Sequence, residues 1–311
     1  MGKIYKALQK SQAETGDTKN QEIDSDIDKW TTVEHEKDIN ESPTAVHEKY
    51  MSESPPVEHD KGDILSSSSQ PHDTDSDNLP LTSKCNLDSS IVTHYKPHSF
   101  ESEQFRLLKT TILFPDKGEP PRTIMVTSTA PGEGKSFVAA NLAVTLANSI
   151  DEYVLLIDCA LRHPSIHKLF GFPDNTPGLS EYLTHKLPLS GVLLRNVIDK
   201  LTILPCGSPS DNPSELLSSE QMRRLITEVK TRYDDRYIII DSPPPYITAE
   251  ANALARQVDA IIIVVKTGKT RRENLRDLVD TYGKDKILGI VKNFDQPILF
   301  SKTKYNYRYN T

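Results

Sequence analysis

Ser128-Thr129-Ala130-Pro131-Gly132-Glu133-Gly134-Lys135-Ser136 is the stretch on which the reading of this chain turns. Before it, Thr123 to Thr127 is a short apolar run rich in β-branched residues; after it, Phe137 to Ala147 repeats apolar residues at helical spacing. Strand, glycine loop and helix are the context a phosphate-binding loop requires. Gly132 and Gly134 let the backbone come close to phosphate oxygens, and the helix N-terminus offers unpaired N–H groups and a positive dipole end. Lys135 is placed to reach the β and γ phosphates and Ser136 to ligate Mg²⁺. The full pattern would put its first glycine at 129, where this chain has Thr129. An ordinary glycine-rich turn needs neither the Lys nor the Ser, so nucleoside triphosphate binding is the reading adopted.

The apolar residues are unevenly spread over the 311-residue chain. The first ninety or so are almost all polar, running through Asp24-Ser25-Asp26, Ser66 to Ser69 and Asp73 to Asp77. Such a segment cannot bury enough surface to offset its chain entropy, so 16–95 reads as disordered, with 1–15 as a short docking helix. In that helix Ile4, Ala7 and Leu8 share a side against Lys3, Lys6 and Lys10, suited to a partner or a membrane surface. Residues 96–295 then form one P-loop domain, and 296–311 a tail containing tyrosines. A net charge of −7 argues against general nucleic-acid binding. Lys266, Lys269, Arg271, Arg272 and Arg276 nevertheless form a local basic cluster, read as a solvated helix face and loop.

Three cysteines with no metal spacing fit a reducing cytoplasm, and no run of eighteen apolar residues suggests a membrane span. His163 and His167 have ligand-like spacing, but Pro164 between them argues for ordinary surface histidines.

Along the chain, Ser99 to Leu113 reads as a helix with Glu103, Arg106 and Lys109 three apart on a charged stripe. Tyr153 to Ile157 is an apolar strand ending at Asp158; Tyr237 to Ile240 is another, ending at Asp241. Further strands are read at 201–205, 260–265 and 287–291, with helices at 219–233, 248–257 and 271–282. Strands alternating with helices define the fold class: α/β, a mostly parallel sheet with helices on both faces and ligands at the carboxyl ends of the strands. Asp241, beside the phosphate loop, is suited to hold Mg²⁺ directly or through water.

Taken together, Ala130 to Ser136, Val154 to Pro164 and Ile238 to Pro244 resemble the Walker A, A′ and B segments of the bacterial tyrosine kinases of capsule and exopolysaccharide synthesis. The likeness extends to Gly178 to Leu183, Asn212 to Leu217 and Gly268 to Thr270, and the opening Met1 to Leu8 is similar to the start of exosortase-associated autokinases. The resemblance implies a γ-phosphoryl transferase using ATP and Mg²⁺, with Lys135, Asp158 and Asp241 catalytic. It implies metal contacts from Ser136, Asp158 and Asp241, and nucleotide contacts from Pro131, Gly132, Glu133, Gly134, Lys135, Ser136, Phe137, Arg162 and Asn293. Tyr305, Tyr307 and Tyr309 are the implied acceptors, phosphorylated in a neighbouring copy. Glu103, Arg106 and Lys109 are the implied contacts of a homo-oligomeric ring. The implied partners are a membrane-bound polysaccharide co-polymerase acting as activator and a phosphotyrosine phosphatase, at the inner face of the plasma membrane.

Three departures accompany the likeness. Lys109 stands where Arg is usual, keeping the charge and losing bidentate geometry. Ala160 replaces the second acid of Asp-x-Asp-x-Arg, so a weak kinase or a nucleotide-dependent scaffold is the alternative. Ala130 stands where partitioning-type ATPases, the third reading, carry a further lysine.

Overall fold

The computed structural model describes residues 3–6, 86–115, 118–232, 235–245 and 250–294. The tyrosine tail, Cys85 and most of the acidic segment lie outside the described residues.

The strands are β1 (Lys3–Lys6), β2 (Thr123–Ser128), β3 (Tyr153–Asp158), β4 (Leu194–Ile198), β5 (Leu201–Leu204), β6 (Arg236–Asp241), β7 (Ala260–Lys266) and β8 (Ile287–Asn293). They form one sheet in the order β1-β8-β7-β2-β6-β3-β5-β4. The six inner strands run parallel, with β1 and β4 antiparallel at the two edges. Parallel strands need both faces covered, and strand periodicity sorts the side chains accordingly. Met125, Leu155, Ile157, Ile238, Ile240, Ile261 and Ile263 face one core, roofed by helices at Glu220–Arg232, Glu250–Ala255 and Arg272–Tyr282. Ile124, Val126, Val154, Leu156, Tyr237, Ile239, Ile262 and Val264 face the other, under the helices Lys135–Ala147 and Phe100–Leu113. Lys135–Ala147 is buried from Val138 to Ala147 because it lies between the sheet and Phe100–Leu113. The latter is capped as its sequence suggests, with the Ser99 hydroxyl accepting from the Ser102 N–H at 3.2 Å.

Three expectations need correction. The short N-terminal helix is not what forms at Lys3–Lys6: these residues pair with β8, Lys3 opposite Lys292 and Lys6 opposite Gly289. Four residues cannot sustain a helix alone, whereas the β8 edge offers a ready set of hydrogen-bond partners. The remainder of the proposed helix is outside the described residues. The folded unit also begins before residue 96. Ile91 is fully buried, the Thr93 N–H donates to Asn141 Oδ1 at 3.1 Å, and Asn141 Nδ2 donates to the Ser90 carbonyl at 3.0 Å. One asparagine on the phosphate-loop helix thus fastens the segment 90–93. Last, His167 is not a surface histidine: it is buried, with Nε2 2.9 Å from Asp174 Oδ1, while His163 is exposed.

Candidate nucleotide-binding site

The site is assembled at the carboxyl ends of β2, β6 and β3. In register, Val126 lies beside Asp241 and Asp241 beside Asp158. Both acids continue the strand parity that faces the phosphate-loop helix, so two carboxyls converge under the loop that leaves β2.

The loop is held from inside. Glu133 is buried, and its carboxylate accepts from the Thr129 hydroxyl at 2.9 and 3.1 Å, from the Ala130 N–H at 2.9 Å and from the Thr270 hydroxyl. The side chain therefore braces the loop, leaving backbone N–H groups for phosphate. Thr129, at the position where the pattern has glycine, is one of the groups that orient this carboxylate. Gly134 is required on two counts: its φ is 91°, and a Cβ there would lie 1.9 Å from Asn293 Nδ2. Asn293 spends that amide on the Glu133 carbonyl at 3.0 Å, tying the end of β8 to the loop. Phe137 packs its ring edge-on to Phe105, centroids 6.0 Å apart, so its side chain belongs to the core and only its backbone remains for a nucleotide. Pro131 and Gly132 lie exposed on the loop, and Arg162 is exposed beyond Asp158.

The two acids are equally buried and differently satisfied. Asp158 Oδ1 accepts from the Ala160 N–H at 2.9 Å, and Oδ2 from Ser165 and Ile166 N–H at 3.2 and 3.1 Å. Burial raises its pKa and those three bonds oppose the rise. Asp241, also fully buried, has no hydrogen-bond partner on either carboxylate oxygen among the described residues. Burial, reinforced by the Asp158 charge, pushes its pKa up to about 7; the Lys135 ammonium and the Ser136 hydroxyl nearby pull the other way. That hydroxyl favours the ionised acid without meeting the distance and angle of a hydrogen bond. A buried carboxylate with unfilled oxygens beside a hydroxyl and a lysine is the donor set expected of a hard cation carried with phosphates, and the residues fit Mg²⁺.

Cys159 and Cys206 are free, buried thiols whose pKa values burial raises, which makes them inert core residues. On the Phe100–Leu113 helix, Arg106 Nη1 pairs with Glu103 Oε2 at 2.7 Å while its Nη2 donates to the Pro97 carbonyl at 2.6 Å. Lys109 follows one turn on, its pKa lowered by burial and by the Arg106 charge. Among the described residues no helix is long and apolar enough to cross a membrane.

A parallel sheet, a braced glycine loop entering a helix, and an unfilled acid at the neighbouring strand end define a P-loop nucleoside-triphosphate protein. A family model described as an AAA domain matches residues 121–287. The tyrosine-protein kinase YwqD of Bacillus subtilis (strain 168) is 36% identical over 209 residues, covering 67% of this chain and 86% of its own. The putative tyrosine-protein kinase CapB of Staphylococcus aureus is 32% identical over 222 residues, 70% of this chain and 95% of its own. Among solved structures, the chimerical protein CapA2B2 superposes with a TM-score of 0.60 at 32% identity, covering 67% of this chain and 90% of that one. The kinase domain of the Escherichia coli tyrosine kinase ETK gives 0.62 at 29% identity, covering 73% and 86%. This chain belongs to the bacterial tyrosine-kinase family, a family of P-loop enzymes.

Proposed function

We propose that this protein transfers the γ-phosphoryl group of Mg-ATP to Tyr305, Tyr307 and Tyr309 in the tail of a neighbouring copy. The observation that carries this reading is Asp241, buried with both oxygens unfilled beside Lys135 and Ser136. Asp241 and Ser136 would hold Mg²⁺, which would supply neutralisation of phosphate charge. Lys135 and the loop N–H groups hold the phosphate oxygens. The tyrosine oxygen forms the new bond to the γ phosphorus as the bond to the β-phosphate oxygen breaks, ADP leaves, and the phenolic proton passes to a base or to water. Asp158 acts through the 160–166 loop that its carboxylate organises. Glu103, which is exposed, and Arg106 and Lys109, which are half-buried, are the proposed contacts of a ring that delivers one copy's tail to the next. A membrane-bound polysaccharide co-polymerase is the proposed activator, and a phosphotyrosine phosphatase the reversing partner. Together they place the protein on the cytoplasmic side of the membrane in control of polysaccharide polymerisation and export.

The test is mass spectrometry of the C-terminal peptide after incubation of the full chain with Mg-ATP and the activator fragment. Phosphotyrosine in the native chain and none in Lys135→Met is the expected result; identical spectra refute the transfer.

A second reading, a nucleotide-dependent scaffold, is favoured by one observation. Ala160 is 3% exposed and spends its N–H on Asp158, so no second carboxyl stands in the loop to take the tyrosine proton. A general base typically contributes about 10²- to 10⁴-fold. Tail labelling that appears in Ala160→Asp while the native chain shows none supports the scaffold reading for the native chain. Native labelling that the change leaves unaltered refutes it.

A further inference from the structure

Glu133 is a carboxylate inside a loop that cradles phosphates, and its charge opposes the anion the loop is to receive. That conflict is relieved when the carboxylate is turned away from the cradle and its oxygens are taken up by donors. Two of the donors, the Thr129 hydroxyl and the Ala130 N–H, belong to the loop itself and move with it. The third, the Thr270 hydroxyl, comes from outside the loop, from the turn 266–270 between β7 and the helix Arg272–Tyr282.

That turn is a firm base for a donor. The Lys269 and Thr270 N–H groups both donate to the Lys266 carbonyl, at 3.1 and 3.0 Å, and Gly268 takes a φ of 75° at the tip. The Thr270 oxygen accepts from the Lys266 N–H at 2.8 Å while its proton goes to Glu133 Oε1, so both functions of the hydroxyl are committed. Glu133 is gripped a second time at its main chain, where its carbonyl accepts from Asn293 Nδ2 at 3.0 Å. The two grips are themselves joined, since the Thr267 N–H donates to the Asn293 carbonyl at 3.0 Å. Side chain and main chain of one loop residue are thus held by a single unit, the cross-tied ends of β7 and β8.

We propose that Thr270 is a positioning residue for the nucleotide. It keeps the Glu133 carboxylate clear of the phosphates, so affinity for nucleoside di- and triphosphates is set in part by the turn after β7. This rests on the reading of the loop as the nucleotide site and holds whether or not the phosphoryl group is then transferred to tyrosine.

The experiment is calorimetric titration of ADP, and of a non-hydrolysable ATP analogue, into the full chain in Mg²⁺ buffer. Thr270→Val keeps the shape and removes the hydroxyl, and should weaken ADP by about threefold to tenfold. Thr270→Ser keeps the hydroxyl and should bind within about twofold of the native chain. Because valine also loses the bond to the Lys266 N–H, a double-mutant cycle isolates the Glu133 part. In the Glu133→Ala background, Thr270→Val should cost less than about twofold. The loss from Thr270→Val should be larger for the ATP analogue than for ADP, since a displaced carboxylate meets one more charged phosphate; a purely structural role predicts no such dependence. Should the valine chain fail to fold, Thr270→Ala carries the same expectations. An equal loss in both Glu133 backgrounds, Thr270→Ser as weak as Thr270→Val, or equal losses for the two nucleotides would each overturn the assignment. A native chain that binds no ADP refutes the nucleotide site itself; one that binds ADP and is indifferent to Thr270→Val refutes the role of Thr270 alone.

Discussion

Asp158 and Asp241 end neighbouring parallel strands, face the same helix, and are both fully buried, yet they do different jobs. The Asp158 carboxylate is filled by three backbone N–H groups from the loop it introduces, so it is a fastener for residues 160–166. Asp241 has no hydrogen-bond partner among the described residues and carries a pKa pushed to about 7, which suits the cation role proposed for it. Burial alone does not mark a functional acid. What separates the two is whether the fold has already supplied the hydrogen bonds that desolvation makes necessary.

Replacing each acid should break this symmetry in opposite directions. In Asp241→Asn the initial rate of tail phosphorylation should drop at least about 10³-fold, since one charge on the metal side of a phosphoryl transfer is lost. The same change should raise stability in metal-free buffer at pH 8. An acid whose folded pKa lies near 7, above its ordinary value, makes the folded state hold its proton more tightly than the unfolded state does. Stability is then present below the unfolded value and is lost as pH climbs toward 7, by a few kcal/mol in all. Asparagine escapes that loss. In calorimetry with a chelator, the variant should melt above the native chain at pH 8, and the gap should narrow at pH 5.5.

Asp158→Ala should do the reverse. It strands three N–H donors in a buried loop and should cost roughly 2–5 kcal/mol in urea unfolding at pH 7. A variant as stable as the native chain would deny the fastening role. The smallest effect is expected at Glu133→Gln, which keeps the shape of the brace and removes its charge: ADP should bind about threefold to tenfold more weakly, measured by calorimetric titration.

Much of this was legible in the chain before any coordinates. Inner strands of a parallel sheet are continuous apolar runs, which is why Val154 to Ile157, Ile238 to Ile240 and Ala260 to Val265 stand out. The edges were not. β4 carries Arg195 and Asn196, and its hairpin to β5 turns at Lys200, a non-glycine residue with φ of 59°, so neither apolar run nor turn residue announces it. β1 takes its conformation from the β8 edge and not from its own four residues. The folded start at Ile91 was hidden because its partner, Asn141, sits 50 residues on. Within the site, the residue types were visible and their satisfaction was not. Nothing local to Glu133 says that Thr129 and Thr270 will claim its carboxylate, although a threonine in place of the loop's first glycine was a hint. Nor can Asp158 be told from Asp241 until residues 160–166 are seen to close back over one of them.

Electron paramagnetic resonance titration of Mn²⁺, standing in for Mg²⁺, into the full chain with saturating ADP tests that division most directly. The account predicts that Asp241→Asn raises the Mn²⁺ dissociation constant at least tenfold while Asp158→Asn changes it less than threefold. Equal losses from the two variants, or a larger loss from Asp158→Asn, would contradict it.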